Sequence, residues 1–173
     1  MRALFVSRAF PPTIGGIEKQ NAEVAEFLGK KTELTLIANR KGKSFLPLFL
    51  PWAMLQILVK ASRHDVLLLG DGVLAPLGAI AKFLFPRLTV VSIVHGLDLT
   101  FAKKSGFMAK LYASINLPSL RKLDGVICVS QDTKKIALSV GIKEERAFVI
   151  PNGIDPDFIT GSYTREELAT FHG

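Results

Sequence analysis

The sequence predicts a doubly wound α/β domain built on a mainly parallel sheet of six or seven strands. Two observations carry that expectation. Short apolar runs alternate along the chain with segments of helical period, the pattern of repeated βαβ units. The hydrophobic fraction is 49%, as strands buried on both faces require, although a partner surface or contact with a membrane would raise it as well. At 173 residues the chain can bury a substantial core as one domain, without disulfides or metal.

The strands follow in order. RALFVS at 2–7, ELTLIA at 33–38, DVLLLG at 65–70, LTVVSIVH at 88–95, GVICVS at 125–130 and RAFVI at 146–150 are each short and strongly apolar. Between the first two, Ile17, Val24 and Leu28 recur at near-helical spacing with Glu18, Lys19, Glu23 and Glu26 on the other side, an amphipathic helix packed on the sheet. Further helices are expected at 51–62, at 73–84, at 104–117 ending near Pro118, and at 131–140. Ser130 suits the N-cap of the last of these and Gly141 its C-cap. From about residue 156 the strand pattern stops, and Thr164-Arg-Glu-Glu-Leu reads as the start of a short capped helix.

Composition bounds the function classes. The formal charge is +7, from 22 basic and 15 acidic residues, which favours anionic partners without saying which. Residues 103–135 hold seven Lys or Arg against Asp124 and Asp132, a net of +5; a solvated helix face, an anionic membrane and a phosphorylated acceptor all fit that excess. Nucleic acid is not expected, because no aromatic platform or groove-reading motif accompanies the basic stretch. The single cysteine, Cys128, lies inside an apolar run. It reads as a buried structural thiol of a reducing compartment rather than a nucleophile.

Met1-Arg2 leads into a five-residue apolar run and then Arg8, unlike a secretory leader, so a cytoplasmic protein is expected. The apolar stretch 45–59, broken by Pro47, Pro51 and Gln56, reads as too short to span a bilayer. It fits either a helix buried between sheet and neighbour or, with Trp52 and the basic helices that follow, peripheral contact with an anionic bilayer.

In an open α/β sheet, ligands bind outside the carboxyl ends of the strands. After the first strand stands Pro11-Pro12-Thr13-Ile14-Gly15-Gly16-Ile17-Glu18, two glycines immediately before a helix. Either they form a tight turn, or their amides approach a phosphate or polar sugar group at the positive end of the helix. The dinucleotide fingerprint G-x-G-x-x-G is absent, which argues against a nicotinamide or flavin cofactor. After the third strand, Gly70-Asp71-Gly72 offers a carboxylate that either binds sugar hydroxyls or caps the helix beginning near Val73. After the fourth comes His95-Gly96-Leu97-Asp98, whose imidazole has the chemistry to hydrogen-bond a sugar hydroxyl. His64 and His172 lie elsewhere, and the three histidines show no metal-binding spacing. After the sixth, Pro151-Asn152-Gly153 demands a turn and marks a hinge.

Together these segments resemble the retaining glycosyltransferases of family 4, a group of the two-domain GT-B type built from Rossmann-like halves. The carriers are PPTIGGIEKQ, HGLD, ICVSQDTKK and VIPNGIDPDF, each weak alone and specific in this order. The resemblance covers about residues 1–158 and implies an N-terminal, acceptor-side domain there, with 159–173 as linker or the start of a second domain. It implies transfer, with retention, from a nucleotide-diphospho-sugar to a glycan or lipid-linked acceptor. His95 is implied to contact the transferred sugar and help stabilise the transition state, with Asp98 beside it. Gly15 and Gly16 are implied to lie against the donor diphosphate or the acceptor, with Ser130 and Gln131 lining the same cleft and Asn152 leading into the linker. No metal is implied, since cationic groups of the second domain meet the charge of the leaving diphosphate. The second domain, with its E-x7-E pattern, is not in these residues, so turnover needs the protein's own C-terminal domain or a partner chain. The other reading is a non-catalytic sugar- or phosphate-binding module, or a split-enzyme subunit, of the same fold.

Overall fold

The computed structural model describes residues 1–101 and 106–153, apart from the side chains at 97, 98, 101 and 108. Six strands, β1 (Arg2–Ser7), β2 (Glu33–Ala38), β3 (Val66–Leu69), β4 (Thr89–Val94), β5 (Gly125–Cys128) and β6 (Ala147–Val149), form one sheet. The order is β2-β1-β3-β4-β5-β6, with every pairing parallel. All six predicted strands are present, trimmed by up to two residues at their ends.

The helices are α1 (Gly16–Gly29), α2 (Leu46–Lys60), α3 (Ala75–Leu84), α4 (Gly96–Phe101), α5 (Phe107–Arg121) and α6 (Gln131–Ser139). The step from β1 to β2 runs one way across the sheet and every later step runs the other way. Right-handed crossovers therefore place α1 on one face and the later helices on the opposite face. The core divides accordingly. Phe5, Leu68 and Ile93 point toward Ala25 of α1, whereas Leu4, Val6, Leu67, Leu69, Val90 and Val94 point toward α2, α3, α5 and α6. Alternate residues of one strand thus serve two cores, and that is why these strands read as unbroken apolar runs.

Three helices depart from the sequence reading. α2 begins at Leu46 rather than 51, because Pro47 sits in its first turn, where the missing N–H is harmless, and Pro51 costs one bond in a helix anchored by buried Phe49, Ala53 and Ile57. With a 3-10 turn at each end it becomes a 21-residue apolar helical stretch, Lys43–Arg63, long enough to cross a membrane. The expectation that this run was too short is thereby corrected. Its buried residues are nevertheless part of the sheet's core, and it links two strands that flank β1. The next difference is α5, which continues through Pro118 to Arg121, with Asn116 and Leu120 buried. The third is α4, six residues that the sequence left unassigned.

α6 follows the expectation closely. Ser130 Oγ accepts from the Thr133 amide at 3.0 Å. At the other end Gly141, at φ 87°, closes the helix: its N–H reaches Leu138 O at 3.0 Å and the Ile142 N–H reaches Ala137 O at 3.1 Å. This is the Schellman pattern, with Ala137 and Ile142 both in the core. The predicted linker at 159–173, the helix at 164 and the first residues of the predicted 104–117 helix lie outside the described residues.

Candidate functional site

The strand order reverses between β1 and β3, so the crevice for a ligand opens beyond the carboxyl ends of those two strands. Two glycine-bearing turns meet there. After β1 the chain reaches Gly15, the N-cap of α1, whose carbonyl accepts the Lys19 N–H at 3.0 Å. A Cβ on Gly15 would collide with the Glu18 carboxylate, which folds back over the start of the helix, whereas a Cβ on Gly16 would meet nothing within 4 Å. Gly16 thus offers bare backbone to the crevice at the positive end of a 14-residue helix.

Beneath this turn lies a buried polar brace. Asn21, fully buried, donates from Nδ2 to Ser7 Oγ at 2.9 Å and to Ala9 O at 3.2 Å. Its amide also packs against Gly70, where a Cβ would lie 2.9 Å from it. Next to Gly70, Asp71 is buried: one carboxylate oxygen accepts the Val73 amide at 3.0 Å and the other faces Arg8 Nε at 2.8 Å. The helix-capping reading of Asp71 is the one realised, and its carboxylate is turned into the protein. The Asp71 carbonyl accepts from Ser92 Oγ at 3.2 Å, and Asn116 Nδ2 donates to Gly72 O at 2.8 Å, tying β4 and α5 to the same turn.

His95 directly follows β4 and is half-buried at the same sheet edge. Gly96 begins α4, and a Cβ there would lie 3.9 Å from Thr133 Oγ1 at the start of α6. The strand end bearing His95 is therefore set beside the helix start bearing Ser130 and Gln131. Ser130 spends its hydroxyl on the cap, while Gln131 is exposed. Asp98 falls within α4, with its side chain outside the described residues. Asn152 is exposed just past β6, whose pairing is prolonged by Ile150 N–H to Cys128 O at 3.0 Å.

Sequence reasoning missed Arg8, Asn21 and Thr133. Arg8 stands immediately after β1, and the strand-end rule that singled out the glycines would have found it too. Also unforeseen was a groove of about 490 Å³ beside the glycine turn, lined by Phe45, Leu48, Phe49 and Trp52 with Arg40 and Lys41. Asn39 joins it to the site, donating to Arg8 O at 3.1 Å and to Gly42 O at 2.8 Å. A larger groove of about 890 Å³ lies at the opposite, amino-terminal strand edge and includes His64, which is held structurally by Lys60 O at 2.7 Å and Thr35 Oγ1 at 2.9 Å. Among the described residues, no three His, Cys, Asp or Glu gather as a metal site.

The fold is that of known glycosyltransferase structures. Anabaena Alr3699/HepE, solved in complex with UDP-glucose, superposes with a TM-score of 0.69 at 19% identity, over 99% of this chain and 49% of that one. Its complex with UDP and glucose gives 0.63 at 18% identity, over 99% and 49%. The lipopolysaccharide outer core galactosyltransferase WaaB, in its apo form, gives 0.56 at 13% identity, over 89% and 46%. The chain thus spans about half the length of these relatives. No protein of curated function matches the sequence. The family model described as Glycosyltransferase Family 4 matches residues 14–158, from the glycine turn through every described strand end after β1, and the chain belongs to that family.

Proposed function

We propose that these residues form the acceptor-side half of a retaining glycosyltransferase that moves a sugar from a nucleotide-diphospho-sugar to a glycan or lipid-linked acceptor. The observation that carries this reading is the convergence at one sheet edge of bare backbone at Gly16, the imidazole of His95 and the α6 start at Ser130 and Gln131. Amides at the start of α1 suit a phosphate or sugar oxygen. His95, half-buried, contacts the transferred sugar and donates to charge developing in the transition state. Gln131 and Asn152, both exposed, contribute neutral hydrogen bonds to acceptor hydroxyls. The diphosphate leaves toward cationic groups of a donor-side half, which these residues do not supply and without which turnover is not expected.

A second reading of the same crevice is a non-catalytic sugar- or phosphate-binding module or one subunit of a split enzyme, since bare backbone at the start of α1 binds a phosphate or sugar oxygen with or without transfer. His95→Ala, placed in a protein containing both halves, separates the two. Transfer falls about 10²–10³-fold, the effect of removing one donor aimed at developing charge, while acceptor affinity and thermal stability hold. Unaltered turnover would remove His95 from the mechanism. Acceptor binding by the complete protein with no transfer from any nucleotide sugar would establish the binding module.

A further inference from the structure

The turn that follows β2 is built rather than left to solvent. Asn39, 2% exposed, donates from Nδ2 to Arg8 O at 3.1 Å and to Gly42 O at 2.8 Å, and its Oδ1 accepts the Lys41 N–H at 3.0 Å. One buried amide thus closes the turn 39–42 on itself and clips it to the end of β1. Gly42, at φ 77°, supplies the left-handed residue that the turn needs, and a Cβ there would lie 3.8 Å from Thr13 Oγ1. The turn therefore sits beside the segment that leads to Gly15 and Gly16.

Two cations on this turn are held against aromatic rings. The Arg40 guanidinium lies 5.0 Å from the Phe10 ring centre and Lys41 Nζ lies 4.6 Å from that of Phe45. No Asp or Glu occurs from residue 34 to residue 64, and among the described residues neither cation has a carboxylate partner. Below them is the groove of about 490 Å³, a volume within the roughly 300–1,000 Å³ of small-molecule sites. Its wall includes Trp52, 47% exposed, which leans on buried Phe49 with 5.8 Å between ring centres and 45° between planes. An aromatic wall with pre-positioned cations at its rim suits a ligand that has an apolar face and a negative charge.

We propose that this groove is an anion-selecting subsite for the acceptor, taking a sugar unit that carries a carboxylate or a phosphate. The sugar's apolar face lies on Trp52, and its anionic group is met by the Arg40 fork and Lys41. Topology sets the distance. The crevice opens between β1 and β3, and β2 pairs with the other side of β1, so the groove is one strand further along the same edge, a lateral step of about 5 Å. A unit held in the groove leaves its neighbour in the crevice beside Gly16. Asn39 makes the selection rigid, because the buried amide that fixes the two cations also grips the strand end that borders the crevice. The inference rests on reading these residues as the acceptor-side half, and it names the acceptor's charge, which that reading leaves open.

Trp52 is the single tryptophan of the chain, and its emission reports on the groove directly. The 173-residue protein is titrated with glucose, glucuronate, glucose 6-phosphate and inorganic phosphate. The expected result is that glucuronate or glucose 6-phosphate changes the emission and shields Trp52 from acrylamide at concentrations about 10-fold lower than glucose requires. The tighter of the two names carboxylate or phosphate as the acceptor's anion. Arg40→Gln with Lys41→Gln abolishes the preference at unchanged melting temperature, whereas Lys43→Gln, a charge change outside the groove, leaves it intact. Equal responses to glucose and its anions, or no response to any of them, overturn the proposal. So does a preference that survives the double variant, and so does a full response to inorganic phosphate at the concentration that glucose 6-phosphate needs, which makes the groove an anion site without a sugar contact. The acceptor-side reading fails separately: anion preference in a complete protein that transfers no sugar counts against transfer and not against the groove, while transfer without anion preference overturns the groove alone.

Discussion

Arg8 and Asp71 meet at 2.8 Å across the carboxyl ends of β1 and β3, with the Arg8 side chain 15% exposed and that of Asp71 fully enclosed. The pair closes the floor of the crevice where the strand order reverses. Asp71 also caps the turn leading into α3 through the Val73 amide, so one carboxylate fixes the relative positions of two strands and a helix start. Asp71→Ala strands a largely buried guanidinium and an amide donor together. It is expected to destabilise the fold by about 3–5 kcal/mol, the range for breaking a buried pair by removing one partner. Asp71→Asn keeps an acceptor for Val73 and costs less. Urea unfolding of the two variants checks the order, and a loss below about 1 kcal/mol for Asp71→Ala would contradict a structural role for the pair.

The two glycines at the start of α1 differ in what surrounds them, and their alanine variants should part accordingly. Gly16→Ala meets open space and adds helix propensity at an exposed position, so stability stays within about 0.5 kcal/mol. Any loss of transfer in a protein with both halves then reports ligand approach alone. Gly15→Ala displaces the folded-back Glu18 carboxylate and lowers stability by up to about 1 kcal/mol. Because the obstruction is the end of a flexible side chain, a Glu18→Ala background relieves it. A double-mutant cycle by denaturant unfolding should show that coupling, and additive effects would mean Glu18 does not lie over Gly15.

The inner strands were legible because burial on both faces makes them near-continuous apolar runs: Leu67, Leu68 and Leu69 face two different cores and read as one run. The start of α2 was hidden by Pro47 and Pro51, which ordinarily break helices but here sit in the first turn and on an exposed side. Asp71 and Ser130 could not be resolved from sequence, since a cap and a sugar ligand both call for an oxygen-bearing residue between a strand and a helix. The folded chain spends both on caps. Arg8 stands where the strand-end rule looks, but its partner was not legible, since Asp71 lies 63 residues later and only the pairing of β1 with β3 brings them together. For 45–59 the sequence left a buried helix and a bilayer contact both open: Phe49, Ala53 and Ile57 pack into the core while Leu48, Trp52, Leu55 and Val59 face outward, a division set by how α2 lies on the sheet.

Gly78 is predicted to be intolerant of the smallest enlargement. A Cβ there would lie 2.6 Å from Leu69 Cδ1, 3.1 Å from Val90 and 3.2 Å from Leu123, all fully buried. Helix propensity alone favours alanine by about 1 kcal/mol. Overpacking against side chains with no room to yield opposes it by about 1–3 kcal/mol or more. The net expectation for Gly78→Ala is a loss, read as a lower urea midpoint at unchanged slope. A gain would mean α3 can lift from β3 and β4 without penalty.

Cys128 supplies a pH dependence whose sign can be worked out. The thiol is fully buried, and burial pushes its pKa above the ordinary 9.0, with Lys134 opposing weakly. The unfolded chain therefore ionises first as pH rises. Between about 9 and the higher folded value, the folded state holds more protons than the unfolded one. Stability from this group is thus whole below about pH 9 and falls as pH climbs through the folded pKa. Cys128→Ala lacks that term, so the stability difference between wild type and variant, measured by urea unfolding, should shift in the variant's favour between about pH 7 and pH 10. The same burial keeps the thiol from reacting: a disulfide reagent at neutral pH should label Cys128 only as fast as the protein opens. Labelling of the folded protein at the rate of a free thiol would show that the α6 side of β5 is open to solvent, and the alkaline shift would then vanish as well.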